Sequence, residues 1–170
     1  MEESYTFMKK ELTALMPMIR RFAYSLTGSP HDADDLLQNT IERVLSRGVP
    51  EDVDLTKWVF RVCRNIWIDE YRARKVRQIA AESPELSEEQ YVDGDKIIYN
   101  QITLDQVNVA MDKLPEDQRS ILALIAVQGM SYKEVSETLS IPMGTVMSRL
   151  ARARIALSQY LNTTAAEINV

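Results

Sequence analysis

Apolar residues recur every three or four positions along two long stretches of this 170-residue chain. Such spacing places apolar side chains on one face of an α-helix. The only β-like run, Ile97 to Tyr99, is short. Five glycines and six prolines are too few for a fold built from many strands and turns. The pattern therefore predicts an all-α protein.

A polar, acidic segment separates the two helical stretches. Residues 80–95 hold six acidic and no basic side chains, together with one proline and one glycine, a composition typical of a linker. We therefore expect two small helical domains, over residues 5–78 and 101–162. An acidic, flexible linker over residues 79–100 would join them.

Charge is distributed unevenly along the chain, although the formal net charge is only -5. Residues 57–79 hold seven basic and two acidic side chains, and residues 140–170 hold three basic and one acidic. Because salt screens charges beyond about 10 Å, a local cluster matters more than the total. Each predicted domain thus has one basic helix.

The first well-marked helix start lies at Ser29. Ser29 can accept the N-cap hydrogen bond, Pro30 fits the first helical position, and Asp32 favours the positive end of the helix dipole. The helix should end at Gly48, and residues 49–56 should form a loop. Its polar residues outside the apolar face are Asp35, Gln38, Asn39, Glu42 and Arg43.

The next helix is predicted over residues 56–76, with a buried stripe from Val59 to Ile66. A rotation of 100° per residue gathers a polar and basic set on the opposite side, with Trp67 and Tyr71 flanking it. Basic side chains follow a phosphate backbone and aromatic rings stack on unpaired bases. The alternative is that the tryptophans are core residues and the arginines a solvated face. The predicted set is Arg61, Arg64, Asn65, Ile68, Arg72 and Lys75.

Three helices are predicted in the second domain, over residues 114–127, 132–139 and 145–161. Ser131 and Glu134 have the spacing of a capping box at the start of the middle helix. A short helix, a tight turn and a longer helix make a helix-turn-helix, whose last helix suits the DNA major groove. The alternative is a plain helical hairpin with solvated arginines. The outward residues of the last helix are Thr145, Ser148, Arg149, Arg152 and Arg154.

Composition excludes several classes of function. Cys63 and His31 are the only cysteine and the only histidine, which argues against a metal centre, a disulfide and His-dependent catalysis. We find no Ser/His/Asp set, no paired catalytic carboxylates and no nucleotide-binding motif, so we expect neither an enzyme nor a cofactor. The longest apolar run, Ile121 to Val127, is far shorter than the ~20 residues of a membrane helix. We therefore expect no membrane insertion.

Several segments together resemble a known family. The segments follow the order and spacing of that family, and a linker separates the first two from the last three. They are Asp32–Leu45, Trp58–Lys75, Leu114–Arg119, Met130–Val135 and Pro142–Arg154. The chain resembles the extracytoplasmic-function (ECF, group 4) sigma factors of the sigma-70 family, which are subunits of bacterial RNA polymerase. Residues 21–28 resemble the branch tied to general stress responses.

The resemblance implies a role for each predicted surface. The residues listed for the helix after Ser29 would bind the β′ clamp helices of core RNA polymerase, and the second domain would contact the β flap. The loop over residues 49–56 and the following helix, with Arg61, Arg64, Asn65, Trp67, Arg72 and Lys75, would bind and melt the promoter −10 element. The helix-turn-helix would bind the −35 element through Thr145, Ser148, Arg149, Arg152 and Arg154. Asn39 and Met147 depart from the acidic and lysine residues of many relatives.

The resemblance also implies partners and a location. We expect an anti-sigma factor that holds the two domains in a compact arrangement, whereas polymerase holds them extended. The protein would act in the bacterial cytoplasm, associated with the nucleoid through polymerase. Three alternatives stay open: a sigma mimic that binds an anti-sigma factor, a stand-alone helix-turn-helix regulator, and a nucleic-acid-processing enzyme.

Overall fold

The computed structural model describes residues 1–81 and 103–168, with side chains described through residue 162. Within these ranges every regular element is helical, in agreement with the predicted all-α class. The elements are α1 (Glu2–Thr27), α2 (Pro30–Arg47), α3 (Leu55–Ala81), α4 (Leu104–Asp112), α5 (Glu116–Leu122), a π-helical segment (Ala123–Val127), α6 (Tyr132–Leu139) and α7 (Met143–Ile168). We call α1–α3 the N-terminal unit and α4–α7 the C-terminal unit.

Helix α2 begins and ends as its sequence predicts. The Ser29 hydroxyl accepts a hydrogen bond from the Asp32 backbone N–H at 3.3 Å, and Pro30 occupies the first turn. Gly48 follows the helix with φ 76°, a conformation that glycine adopts without strain. The predicted apolar face is buried except for Ile41, which is half-buried. Local signals therefore suffice to define this helix.

Helix α3 is longer than predicted. It runs to Ala81, five residues beyond the expected end at Val76, so residues 79–81 of the expected linker are helical. Neither glycine nor proline interrupts the chain until Pro84, and alanine is the best helix former. The remainder of the expected linker and the β-like run at Ile97 lie outside the described residues.

The C-terminal unit contains the predicted helix-turn-helix with two differences in detail. The first predicted helix changes from α to π geometry at Ala123, where the Gln128 N–H donates to the Ala123 carbonyl at 3.2 Å. Helix α7 begins at Met143 rather than at residue 145, because the Pro142 carbonyl accepts the first helical hydrogen bonds. The predicted capping box of α6, between Ser131 and Glu134, is present.

One continuous hydrophobic core joins the two units. Phe22 of α1 and Phe60 of α3 make an edge-to-face ring contact with centroids 5.3 Å apart. Buried residues of the C-terminal unit, such as Ile121 and Leu124, belong to the same cluster. The Asn108 amide of α4 also donates to the Tyr24 hydroxyl of α1 at 3.0 Å. The units are therefore packed together.

Cys63 lies in this core with its side chain fully buried. Burial raises the pKa of the Cys63 thiol to about 12, because a thiolate has no solvation there. The thiol therefore stays protonated at neutral pH, as expected of a packing residue. Among the described residues, no helix is both long enough and apolar enough to cross a membrane.

Replacing Phe22 by alanine should destabilise the fold strongly. Phe22 is fully buried, so the Phe22→Ala substitution leaves a cavity and should lower the free energy of unfolding by about 3–5 kcal/mol. Phe7 lies on the same helix and is 66% exposed, so Phe7→Ala should change the free energy of unfolding by less than about 0.5 kcal/mol. Urea unfolding followed by circular dichroism measures both. Equal losses in the two variants would contradict the packing described.

Candidate nucleic-acid interface

The polar face of α2 is open to solvent. All five residues predicted on it, from Asp35 to Arg43, are exposed. The Asn39 amide donates to the Glu70 carboxylate of α3 at 3.3 Å, and the Gln38 amide donates to Glu42 at 3.4 Å. The face therefore mixes carboxylates, amides and one guanidinium, a set suited to a polar protein partner.

The N-terminal half of α3 carries basic residues that contact α6. The Lys57 ammonium forms an ion pair with the Glu137 carboxylate. The Arg61 guanidinium donates to the Ser140 hydroxyl at 3.1 Å and lies 5.8 Å from the Trp58 ring centroid. The hydrogen bond from Lys57 lowers the pKa of the Glu137 carboxyl. The pair therefore persists at neutral pH and is lost as the pH falls through that lowered pKa.

Further along α3, two arginines contact α5. Arg64 donates to the Asp117 carboxylate at 2.6 Å and to the Ser120 hydroxyl at 2.9 Å, and its side chain is only 14% exposed. Arg72 donates to the Glu116 carboxylate at 2.7 Å. Burial lowers the pKa of the Arg64 guanidinium, and Asp117 opposes that shift. We call Lys57, Arg61, Arg64 and Arg72 the α3 basic face.

The outward face of α7 is mostly uncovered. Ser148, Arg152 and Arg154 are exposed near its start, while Thr145 and Arg149 are half-buried. Arg149 lies 3.7 Å from the Asp117 carboxylate, measured between nitrogen and oxygen. Asp117 thus faces a basic residue from each helix that the sequence predicts to bind DNA.

Three residues that the sequence placed on the outward side of α3 or at the −10 surface, Trp67, Ile68 and Lys75, lie elsewhere. Trp67 and Ile68 are core residues, 5% and 7% exposed, and the Arg119 guanidinium lies over the Trp67 ring at 5.9 Å. Trp67 therefore offers no free ring face to a base in this arrangement. Lys75 borders a separate groove of about 700 Å³, where its ammonium lies 5.9 Å from the Tyr71 ring centroid. Helical angles alone do not tell which neighbour covers a residue.

Arg119 is a residue whose importance the sequence pattern did not reveal. It is 2% exposed, although it belongs to a polar helix start. Its guanidinium donates to the Ser25 carbonyl at the end of α1 at 3.0 Å and pairs with Asp112 of α4. The only sequence signal is a charged residue two positions before a seven-residue apolar run, with Ser120 between them. Arg119 joins the two units through polar contacts.

Family profiles match both units. The profile for Sigma-70 region 2 matches residues 12–77, and that for Sigma-70, region 4 matches residues 104–157. The chain is 32% identical over 162 residues to the ECF RNA polymerase sigma factor EcfG of Rhodopseudomonas palustris, covering 94% of this chain and 88% of that protein. This chain belongs to the ECF sigma factors.

Solved structures agree with this assignment. The sigma factor RpoE of Bartonella quintana, in complex with the anti-sigma factor NepR, superposes with TM-score 0.70 and 28% identity over 91% of this chain and 96% of that one. The complex of the anti-anti-sigma factor PhyR with NepR, also from Bartonella quintana, matches with TM-score 0.62 and 18% identity over 89% of this chain and 49% of that one. The second likeness shows the fold alone.

Family membership determines the broad function. The protein is an RNA polymerase sigma factor, a transcription initiation factor rather than an enzyme, and its partners are core RNA polymerase and promoter DNA. Sigma factors of this family act in the cytoplasm with the polymerase. The predicted sigma factor identity is thus confirmed.

Replacing Arg119 by methionine should weaken the contact between the units. The Arg119→Met substitution keeps most of the side-chain length but removes the hydrogen bond to Ser25 and the pair with Asp112. It should lower the free energy of unfolding by about 1–3 kcal/mol. Tryptophan emission should shift to longer wavelength as Trp67 loses its cover. The substitution of the exposed Arg77 by methionine is the matched control. Similar urea unfolding curves for the two variants would refute the role of Arg119 in joining the units.

Proposed function

We propose that the two basic surfaces divide promoter recognition between them. The α3 basic face, with Asn65 beside it, binds and melts the −10 element. The exposed start of α7 binds the −35 element. This division is supported by the order of the family matches, region 2 over the N-terminal unit and region 4 over the C-terminal unit.

The assignment of α3 to the −10 element rests on its charge and on its neighbouring loop. Arg61, Arg64 and Arg72 lie on one side of the helix, where guanidinium groups can donate to successive phosphates. Residues 49–54 of the expected loop precede the helix directly, because α3 begins at Leu55 rather than at residue 56. An extruded base would therefore have both backbone and arginine contacts nearby. Extruding a base costs a few kcal/mol, which such contacts offset.

The assignment of α7 to the −35 element rests on exposure. Ser148, Arg152 and Arg154 are free of acidic neighbours within hydrogen-bonding distance among the described residues. Their position near the start of the helix is the one that reaches base edges when a recognition helix enters the major groove. Met147, 51% exposed, places an uncharged side chain where a phosphate contact would otherwise form.

We further propose that α2 binds the β′ clamp helices of core polymerase and that the C-terminal unit contacts the β flap. The support for α2 is its fully exposed polar face, which includes Gln38, Asn39 and Glu42. Because Asn39 is uncharged, its contribution would be a hydrogen bond rather than an ion pair. Binding to the polymerase would place the protein at the nucleoid.

An anti-sigma factor is a further proposed partner. The support is the likeness, at 28% identity, to a sigma factor whose structure was solved in complex with the anti-sigma factor NepR. The general-stress branch stays a proposal that rests on the resemblance of residues 21–28 alone. A sigma mimic is less favoured, because the chain is 32% identical to a sigma factor over 94% of its length.

Run-off transcription with purified core polymerase and a pool of genomic promoters tests this proposal. We expect discrete transcript starts that share a −35 and a −10 element. Arg152→Ala should lower transcript yield at limiting protein about tenfold, because one contact to the major groove is lost. Glu42→Lys should instead lower binding to core polymerase and leave the start sites unchanged.

The exposed Lys10→Ala is the control for both variants, since Lys10 lies on α1, outside all the proposed surfaces. Transcript starts that depend on neither Arg152 nor Glu42 would refute the assignment of the surfaces. Binding to core polymerase without any transcript would favour the mimic.

A further inference from the structure

We infer that Met147 reads a thymine of the −35 element through the 5-methyl group of that base. Met147 lies in the second turn of α7 and is 51% exposed, although its side chain carries no group that donates a hydrogen bond to water. This assignment rests on the proposed binding of the −35 element by α7. It adds a determinant of base specificity to a surface described so far by its arginines and hydroxyls.

The residues at the centre of the outward face of α7 are small. A rotation of 100° per residue places Gly144, Ser148 and Ala151 within about 60° of one another around the helix axis. All three are exposed, and a Cβ added at Gly144 would meet no side chain of the described residues within 4 Å. Small side chains let the backbone of a helix approach the base edges closely. Longer side chains at the two borders of this face can then reach the same base pairs from either side.

Met147 and Arg152 stand at these two borders. Their Cα atoms are about 140° apart around the helix axis, with the small residues between them. The exposed Arg152 guanidinium has the paired donors that suit the O6 and N7 acceptors of guanine. The thioether of Met147 donates no hydrogen bond and accepts only weakly. The two borders are therefore suited to different atoms of the major groove.

The chemistry of the major groove identifies the group that Met147 would contact. Every base pair presents hydrogen-bond donors or acceptors there, and thymine alone adds an apolar group, its 5-methyl. Contact between this methyl group and Met147 removes both from water, and an unbranched, flexible side chain adapts its shape to the base. Cytosine would present an amino group instead, which the thioether accepts poorly. The position that Met147 meets should therefore favour thymine.

The neighbours of Met147 on its own border support contact with DNA. Met143, one turn earlier, is 45% exposed, and Arg154, about two turns later, is exposed on the same side. From residue 143 to residue 162 the helix contains no acidic residue, so its charge does not repel phosphates. A phosphate contact of Arg154 would fix the depth at which Met147 enters the groove. The apolar contact thus has a charged anchor beside it.

The test removes the methyl group from the DNA. Deoxyuridine differs from thymidine only in lacking the 5-methyl group, and it pairs with adenine in the same way. The template is a promoter obtained from the genomic pool, with each thymine of its −35 element, on either strand, replaced singly by deoxyuridine. Core polymerase carrying the full chain is added at limiting concentration, and run-off transcript yield is measured. Deoxyuridine placed in the spacer between the two elements is the control template.

Three variants assign the effect to Met147. Met147→Gln keeps the length of the side chain but replaces its apolar end by an amide, and Met147→Leu keeps it apolar. Met16→Gln makes the same exchange at a methionine of α1 that is 39% exposed and lies outside all the proposed surfaces. With the wild type and Met16→Gln, loss of one methyl group should lower the yield about fourfold at one −35 thymine. Met147→Leu should keep most of this difference, and Met147→Gln should abolish it.

Distinct outcomes separate the claims. Equal wild-type yields from thymine and deoxyuridine templates, or a −35 element with no thymine on either strand, would overturn the assignment and leave promoter recognition intact. A difference that persists in Met147→Gln would show that another residue reads the methyl group. Weaker binding of Met147→Gln to core polymerase, with the difference unchanged, would place Met147 at a protein contact instead. No transcript from the unmodified template would refute the proposed promoter function, and the assignment with it.

Discussion

The buried guanidinium of Arg119 is the polar group that contacts both halves of the molecule. Its Nε and Nη1 have acceptors, whereas its Nη2 is buried without a hydrogen-bond partner among the described residues. Its acceptors come from the carboxyl end of α1 and from Asp112 in α4, and it covers the ring of Trp67 in α3. Because a charge in an apolar core is costly without such partners, the two units are held at a defined separation.

The two basic surfaces differ in their exposure to solvent in this arrangement. The α3 basic face is covered by α5 and α6, whereas Arg152 and Arg154 of α7 stay open to solvent. The carboxylates of Glu116, Asp117 and Glu137 partly offset the positive charge of α3. The acidic net charge of the chain is compatible with DNA binding, because the polymerase rather than net charge delivers the protein to the promoter.

Much of the fold could be read from local pattern. The N-cap at Ser29, the capping box at Ser131 and the apolar face of α2 all depend on residues within four positions of one another, and each is present. The π-helical segment was not predictable, since seven consecutive apolar residues fit α and π geometry equally well. Helix α3 extends beyond the predicted end at Val76 to Ala81, because alanine favours the helix and no glycine or proline interrupts the chain before Pro84.

The functional surfaces depend on contacts that the local sequence pattern does not predict. A helical wheel correctly placed Arg61, Arg64 and Arg72 on one side of α3, and the order of motifs pointed to a sigma factor. Neither indicated that Trp67 would be buried or that Arg64 would meet Asp117, 53 positions away. Periodicity gives the direction of a side chain relative to its own helix. Which atoms it then meets depends on how distant helices pack, because that packing brings together groups the chain order keeps apart.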